Sequence, residues 1–341
     1  MIRSSTPAPR FEHLVRMTTA DGIFEHALLG HPRREHGYCL DDVSRALVVT
    51  IRQPNASPTL RGTVRAYLAF TEQAQDSSGA FRNRRRVDGS WSDAPTTDDH
   101  WGRALWSVGT TAALARGNIA IRAVAVAERA MRTRSPWPRA MAYAALGAAE
   151  LLRAKPGHEA ALLLLKDARH RLAVPGLTDS WRWPEPRLTY ANAVLPEALI
   201  AIGVALEDHQ ALGQGLAQLE WLLELQTRDG HLSVIPAGGW APPEPLPGFD
   251  QQPIEVAALT EACWRAHEVT GDPAWLNAVR LGASWFLGEN DIGLRLYDHS
   301  TGGCADGLHA ERTNRNQGAE STLAALSTLQ IARRAALAEA A

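Results

Sequence analysis

The sequence predicts an all-α fold, a single-domain toroid in which six helix hairpins close into a ring. Three observations predict it. One phrase recurs along the chain: an amphipathic helix, a polar turn containing Gly, and a short extended piece. Between its copies stand helices that are apolar nearly all round, and such helices are buried. Each buried helix opens on a polar first turn, so one end of the ring collects the unusual side chains.

The recurring phrase reads FTEQAQDSSGAFRN from Phe70, LLELQTRDGHLSVIP from Leu222 and WFLGENDIGLRLYD from Trp285, with a weaker copy, LVRMTTADGIFEHA, from Leu14. Gly supplies the left-handed residue that stops a helix, so each copy marks a helix C-terminus. The outer helices are expected to start near Arg10, Pro58, Asn118, Gly157, Asp208 and Asp272. The inner ones are expected near Asp41, Thr97, Pro136, Thr189, Gln251 and Asn314. Stacked hairpins bury each inner helix between its neighbours. An open helical solenoid is the alternative, but irregular loops ahead of the inner helices suit a closed ring with a mouth.

Composition narrows the classes of function. A net charge of -2 gives no field to gather nucleic acid or an anionic membrane. The longest apolar run, Met141 to Leu152, is broken by Glu150 and falls short of the roughly 18 to 20 residues a membrane span needs. The N-terminal segment lacks the apolar stretch of a signal peptide, so a cytoplasmic location is expected. Cys39, Cys263 and Cys304 show no C-x-x-C spacing, and no metal or cofactor is expected. They read as packing residues.

The first turns of the inner helices carry the candidate chemistry. HGYCLDDVSRAL contributes His36, Tyr38, Asp41, Asp42 and Arg45; TTDDHWGRALW contributes Asp98, Asp99, His100, Trp101 and Arg103. The approach to the fourth inner helix brings Trp183 and Asn192, and the fifth brings Gln252 and Glu255. The sixth follows Asp298 and brings Asn316, Gln317 and Glu320. An Asp at a helix start is by default an N-cap, yet doubling at Asp41/Asp42 and Asp98/Asp99 leaves a spare carboxylate at each start. Glu255 and Glu320 lie one turn inside apolar helices, where an unpaired acid is costly.

Sugar hydroxyls want Asp, Glu, Asn, Gln and Arg partners, and sugar C–H faces stack on Trp and Tyr. Cleaving a glycosidic bond needs one protonated and one ionised carboxyl. The rim offers both sets. Asp42 and Asp99 on one side and Glu255 and Glu320 on the other are the candidate catalytic acids. His36, Tyr38, Asp41, Asp98, His100, Trp101, Arg103, Trp183, Asn192, Gln252, Asp298, Asn316 and Gln317 are the candidate binding residues.

The Gln-x-x-x-Gly turns at Gln75–Gly79 and Gln226–Gly230, with the alternation of helices, resemble the six-hairpin (α/α)6-barrel glycosidase superfamily. The phrases GYCLDDVSRAL, DDHWGRALW, GGCADG and NQGAESTLA resemble bacterial proteins described as glycosidase-like or glycosyltransferase-associated. The resemblance implies an (α/α)6 toroid along almost the whole chain and fixes no substrate, since members include hydrolases, lyases, phosphorylases and epimerases. The reading is therefore a glycoside hydrolase acting on a short oligosaccharide, with inversion favoured. A sugar epimerase or isomerase using His36, His100 or His309, and a non-catalytic carbohydrate binder or glycosyltransferase partner, stand as alternatives. A terpene cyclase would need more aromatic surface than the 6% of Phe, Trp and Tyr here.

Overall fold

The computed structural model describes residues 6–173, 178 and 181–340, so the N-terminal segment read above begins outside the described residues. Among the described residues, α-helices follow one another as alternating outer and inner elements. The outer ones are α1 (Glu12–Met17), α3 (Pro58–Ala74), α5 (Gly117–Ala130), α7 (Glu159–Leu172), α9 (His209–Leu225) and α11 (Ala274–Phe286). The inner ones are α2 (Leu40–Arg52), α4 (Asp99–Leu114), α6 (Pro138–Ala154), α8 (Val194–Ala205), α10 (Pro253–Thr270) and α12 (Ala319–Ala340). Each inner helix packs on the next, and α12 returns to pack on α2. The ring is closed.

Side-chain pattern decides which helix goes where. In α8 every residue from Val194 to Gly203 is buried, as an inner helix touched on all sides requires. In α9 only a stripe is buried, Ala211, Gly215, Gln218, Leu219 and Leu222, and the rest meets solvent. The tightest seam lies between α4 and α6. A Cβ placed on Gly102 would stand 2.2 Å from the Ala140 carbonyl oxygen, and one on Gly109 would stand 2.1 Å from that of Gly147. Here backbone packs on backbone.

The recurring phrase has a physical meaning. Outer helices end in a turn that folds back as a short antiparallel ribbon: Thr18–Thr19 with Gly22–Ile23, and Thr227–Arg228 with His231–Leu232. After α3 the same turn makes single bridges, Gln75 to Phe81 and Phe81 to Thr96. These ribbons follow the outer helices and so stand at the end where the inner helices begin. Two inner helices start five residues later than the sequence suggested, at Val194 and Ala319 rather than Thr189 and Asn314. The intervening residues are engaged in loop hydrogen bonds. Asn192 Oδ1 accepts from the Thr189 N–H, the Asn316 side chain accepts from the Leu29 N–H, and the Gly318 N–H donates to Asp306. Among the described residues no helix is long and apolar enough to cross a membrane.

Candidate active site

The doubled aspartates do not cap their helices. The N-cap residues of α2, α4, α6, α8 and α10 (Cys39, Asp98, Trp137, Ala193 and Gln252) make no side-chain capping bond. The rim carboxylates turn instead to arginines and amides on neighbouring helices. From α2, Arg45 holds Asp42 at 2.7 Å and Glu320 of α12 at 2.8 Å. From α4, Arg103 holds Asp41 of α2 at 2.6 Å and Asp99 at 3.7 Å. Asn83 donates to the other Asp41 oxygen at 3.0 Å, and the Tyr190 hydroxyl donates to Asp99. From α6, Arg139 binds Glu185 at 2.7 Å, the Tyr190 carbonyl at 2.7 Å and Asn192 at 3.2 Å. Asn192 in turn donates to Glu255 of α10 at 2.9 Å.

These bonds wall a two-lobed cleft. One lobe, of about 680 Å³, is lined by Asp98, Asp99, Trp137 and Arg139 among others. The other, of about 430 Å³, is lined by Asp42, Arg45, Gln252 and Glu320 among others. Asp41, Arg84 and Tyr190 line both and mark the junction. Glu320 is the most accessible of the four predicted catalytic acids, its side chain 42% exposed against 20% for Asp99.

Protonation differs sharply between neighbouring residues. Burial pushes Asp42 up to about 7, with the Glu320 charge adding to the effect against the pull of Arg45. Burial would raise Asp41 as well, but the charges of Arg103 and Arg45 overcome it and hold Asp41 at about 2. Two adjacent aspartates are thus driven apart, one well below and one well above the usual carboxylate range, the kind of separation found in acid/base sites. Asp42 and Glu320 share one arginine, Arg45, and so meet across a single guanidinium.

The structure brings only part of the predicted set to the cleft. Asp41, Asp42, Asp98, Asp99, His100, Arg103, Gln252 and Glu320 line one lobe or the other. His100 does so with its Nε2 committed to the Phe81 carbonyl at 2.8 Å. Glu255 lines neither lobe: it is 3% exposed, sits behind Asn192, and burial pushes it to about 7. Asn192 is fully buried and spends its amide on Glu255 and Arg139. Trp101 and Trp183 are buried in the wall, the latter stacked on Trp221, and Tyr38 is stacked on Phe24 at 4.8 Å. His36 lies outside both lobes, edge-on to His26. Asp298 and Gln317 line a separate surface cleft, where Asp298 accepts from the Ser300 and Thr301 hydroxyls; Asn316 is bound to Leu29. These side chains were placed by their position before a helix, and the folding of the loops takes them elsewhere.

Trp137, Tyr190, Arg139 and Asn83 line the cleft without having been in the predicted set. Trp137 carried a readable signal, since it stands between Pro136 and Pro138 at a helix start. Arg139 follows the pattern of Arg45 and Arg103, a guanidinium at the start of an apolar helix. Among the described residues Glu25, Cys39 and Asp42 bring one ligand-type atom each within 4.8 Å of one another. Arg84 pairs with Glu25, Arg45 pairs with Asp42, and burial pushes the Cys39 thiol up, so the negative charge there is already met.

No protein-family model matches the chain, and no curated protein matches its sequence. Solved structures do match over nearly its whole length. A cellobiose 2-epimerase from Bacillus thermoamylovorans is 12% identical, with a TM-score of 0.71 over 95% of each chain. A D-mannose isomerase is 11% identical, with a TM-score of 0.69 over 95% of this chain and 94% of that one. The cellulase Cel9M of C. cellulolyticum is 10% identical, with a TM-score of 0.61 over 92% of this chain and 87% of that one. The fold is the (α/α)6 barrel. At such identities the likeness is one of architecture and assigns no chemistry to this chain.

Proposed function

We propose that the protein is a carbohydrate-active enzyme whose reaction takes place at the barrel mouth, and that the reaction is hydrolysis of a glycosidic bond in a short oligosaccharide. The observation that carries this reading is the convergence of carboxylates from α4 and α12 on one open cleft, with Asp41 at its junction. Arg45 holds Asp42 and Glu320 together, burial pushes Asp42 up to about 7, and Glu320 is the accessible acid of the two. As the general acid, Glu320 gives its carboxyl proton to the glycosidic oxygen as the bond to the anomeric carbon breaks. Water attacks the anomeric carbon from the opposite face and loses its proton to Asp99, which Arg103 and the Tyr190 hydroxyl hold in place. The products are two shorter sugars with the anomeric configuration inverted.

Epimerisation or isomerisation is the second reading, favoured by one observation in the same cleft. His26 lines the Glu320 lobe, its Nε2 3.7 Å from Glu25, where an imidazole could move a proton at a carbon beside a sugar carbonyl. Two of the similar structures are themselves an epimerase and an isomerase, which supports this alternative as much as the cellulase supports hydrolysis. Proton NMR of the protein with neutral disaccharides and hexoses separates the readings. Hydrolysis yields new reducing ends, the first of them in the inverted anomer. Epimerisation yields an isomer of unchanged size. A protein that binds these sugars and changes none of them contradicts both and is a carbohydrate binder.

A further inference from the structure

The larger lobe holds a feature that the hydrolytic scheme does not use. Trp137 is 55% exposed, whereas every other Trp among the described residues is buried or half-buried. It is also held in place. Its Nε1 donates to Asp98 at 2.8 Å, its backbone N–H donates to the Ser135 hydroxyl at 3.0 Å, and the prolines on either side fix the backbone. Asp98 is itself pinned by the Thr96 hydroxyl at 2.6 Å, so the N-cap residue of α4 serves the indole rather than its own helix. A rigid, half-exposed aromatic face over a cavity is arranged for a partner, because the ordering has been completed before the partner arrives.

The wall of the same lobe has a definite sign. Asp41, Asp93, Asp98, Asp99 and Glu185 line it, against the guanidiniums of Arg84 and Arg139. Arg84 pairs with Glu25, and Arg139 cancels Glu185. Arg103, reaching in from the other lobe, cancels one of Asp41 and Asp99. Asp93, Asp98 and the other of these two are left over, so the lobe presents net negative charge. Its volume of about 680 Å³ lies inside the ~300–1,000 Å³ typical of small-molecule sites.

We infer that this lobe is a saccharide subsite in which one sugar ring lies on the face of Trp137, and that its carboxylate wall selects neutral and amino sugars over uronic acids. The inference rests on the carbohydrate reading above and names the class of sugar. An amino sugar gains a charge-assisted hydrogen bond from the wall, a neutral ring gains the stacking alone, and a uronate meets like charge in a partly desolvated cleft.

Calorimetric titration tests it, using wild type, Trp137→Ala, Trp137→Phe and Asp98→Asn with cellobiose, the β-1,4-linked glucosamine disaccharide and digalacturonate. Trp137→Ala is expected to weaken the first two by about tenfold or more, and Trp137→Phe to keep most of the affinity. Asp98→Asn, which keeps an oxygen acceptor for the indole N–H but loses the charge, is expected to keep the cellobiose affinity and to narrow the gap to digalacturonate. Digalacturonate is expected to bind wild type at least about tenfold more weakly than cellobiose at low ionic strength, with the gap narrowing in about 1 M salt. Digalacturonate binding as tightly as cellobiose, Trp137→Ala binding cellobiose like wild type, or no binding of any of the three overturns the inference. The two readings fail separately. Turnover that is indifferent to Trp137→Ala removes the subsite and keeps the enzyme, whereas Trp137-dependent binding without turnover removes the enzyme and keeps the subsite.

Discussion

At the rim, Arg45 and Arg103 hold Asp41, Asp42, Asp99 and Glu320; deeper in the lumen, Arg52 and Arg265 hold Glu150, Glu197 and Glu261. The two clusters are built of the same residue types with similar geometry. Arg52 meets Glu261 at 2.6 Å, and Arg265 meets Glu197 at 3.0 Å and Glu150 at 3.3 Å. Between the clusters lies a cavity of only about 50 Å³, with Arg45 and Glu320 in its lining as well as Glu197 and Glu261. The deep side chains are each 14% exposed or less, whereas the rim opens onto both lobes of the cleft. Access separates the clusters in part: Arg265 alone of the deep cluster lines a separate cleft of about 630 Å³, while the rim brings its carboxylates to both lobes, and the deep cluster ties α6, α8 and α10 to α2.

The largest expected difference between the two clusters is in stability. Arg265→Met leaves Glu197 and Glu150 without their shared cation and is expected to cost about 3–5 kcal/mol in chemical denaturation. Asp99→Asn at the rim, where solvent screens the change, is expected to cost within about 1 kcal/mol. Equal losses would erase the distinction drawn here.

The clusters also differ in how stability follows pH. Burial pushes Glu197 from 4.5 up to about 7 despite Arg265. The folded state therefore holds this proton more tightly than the unfolded one, and the stabilisation is full below about 4.5 and lost as pH rises through about 7. Asp41 has the opposite sign: held at about 2 against 3.8, it stabilises above about 3.8 and stops doing so as pH falls through about 2. Unfolding free energies measured from acid to neutral pH should show Glu197→Gln flattening the decline between about 4.5 and 7, and Asp41→Asn flattening the loss below about 3.8. Interchanged windows would contradict the assignment.

The smallest contrast concerns helix starts. Asp208 caps outer helix α9 through the N–H groups of Gln210 and Ala211, whereas Asp98 at the start of α4 makes no such bond. Asp208→Ala is expected to cost about 1 kcal/mol, the usual cost of losing a cap, and Asp98→Ala less than half of that. A loss at Asp98 as large as that at Asp208 would contradict this ranking.

Much of the ring was legible because helix pairing is a matter of local pattern. The repeated Gly residues mark the turns that follow the outer helices, although those helices end on Thr18, Gln75, Gln226 and Leu287 rather than on a left-handed Gly, and all-round apolarity marked the inner helices. The site was legible only in part. Glu255 and Glu320 look alike in sequence, each an acid one turn into an apolar helix after two amide-rich residues. The loop before α8 covers the first with Asn192, while Arg45 holds the second against the cleft. Trp183 and Trp137 both precede inner helices, and only the packing of Trp183 on Trp221 tells them apart. The deep cluster joins residues 209, 115 and 68 positions apart, and no spacing in the chain announces such pairs.

Turnover of a neutral disaccharide by Glu320→Gln, set beside its thermal midpoint, tests the central claim most directly. The wild type is expected to turn the sugar over, and the variant to do so about 100-fold or more slowly, the usual size of a lost general acid, with its midpoint close to that of wild type. Wild-type rates in the variant, or no turnover in the wild type, would contradict the placing of the chemistry at the rim.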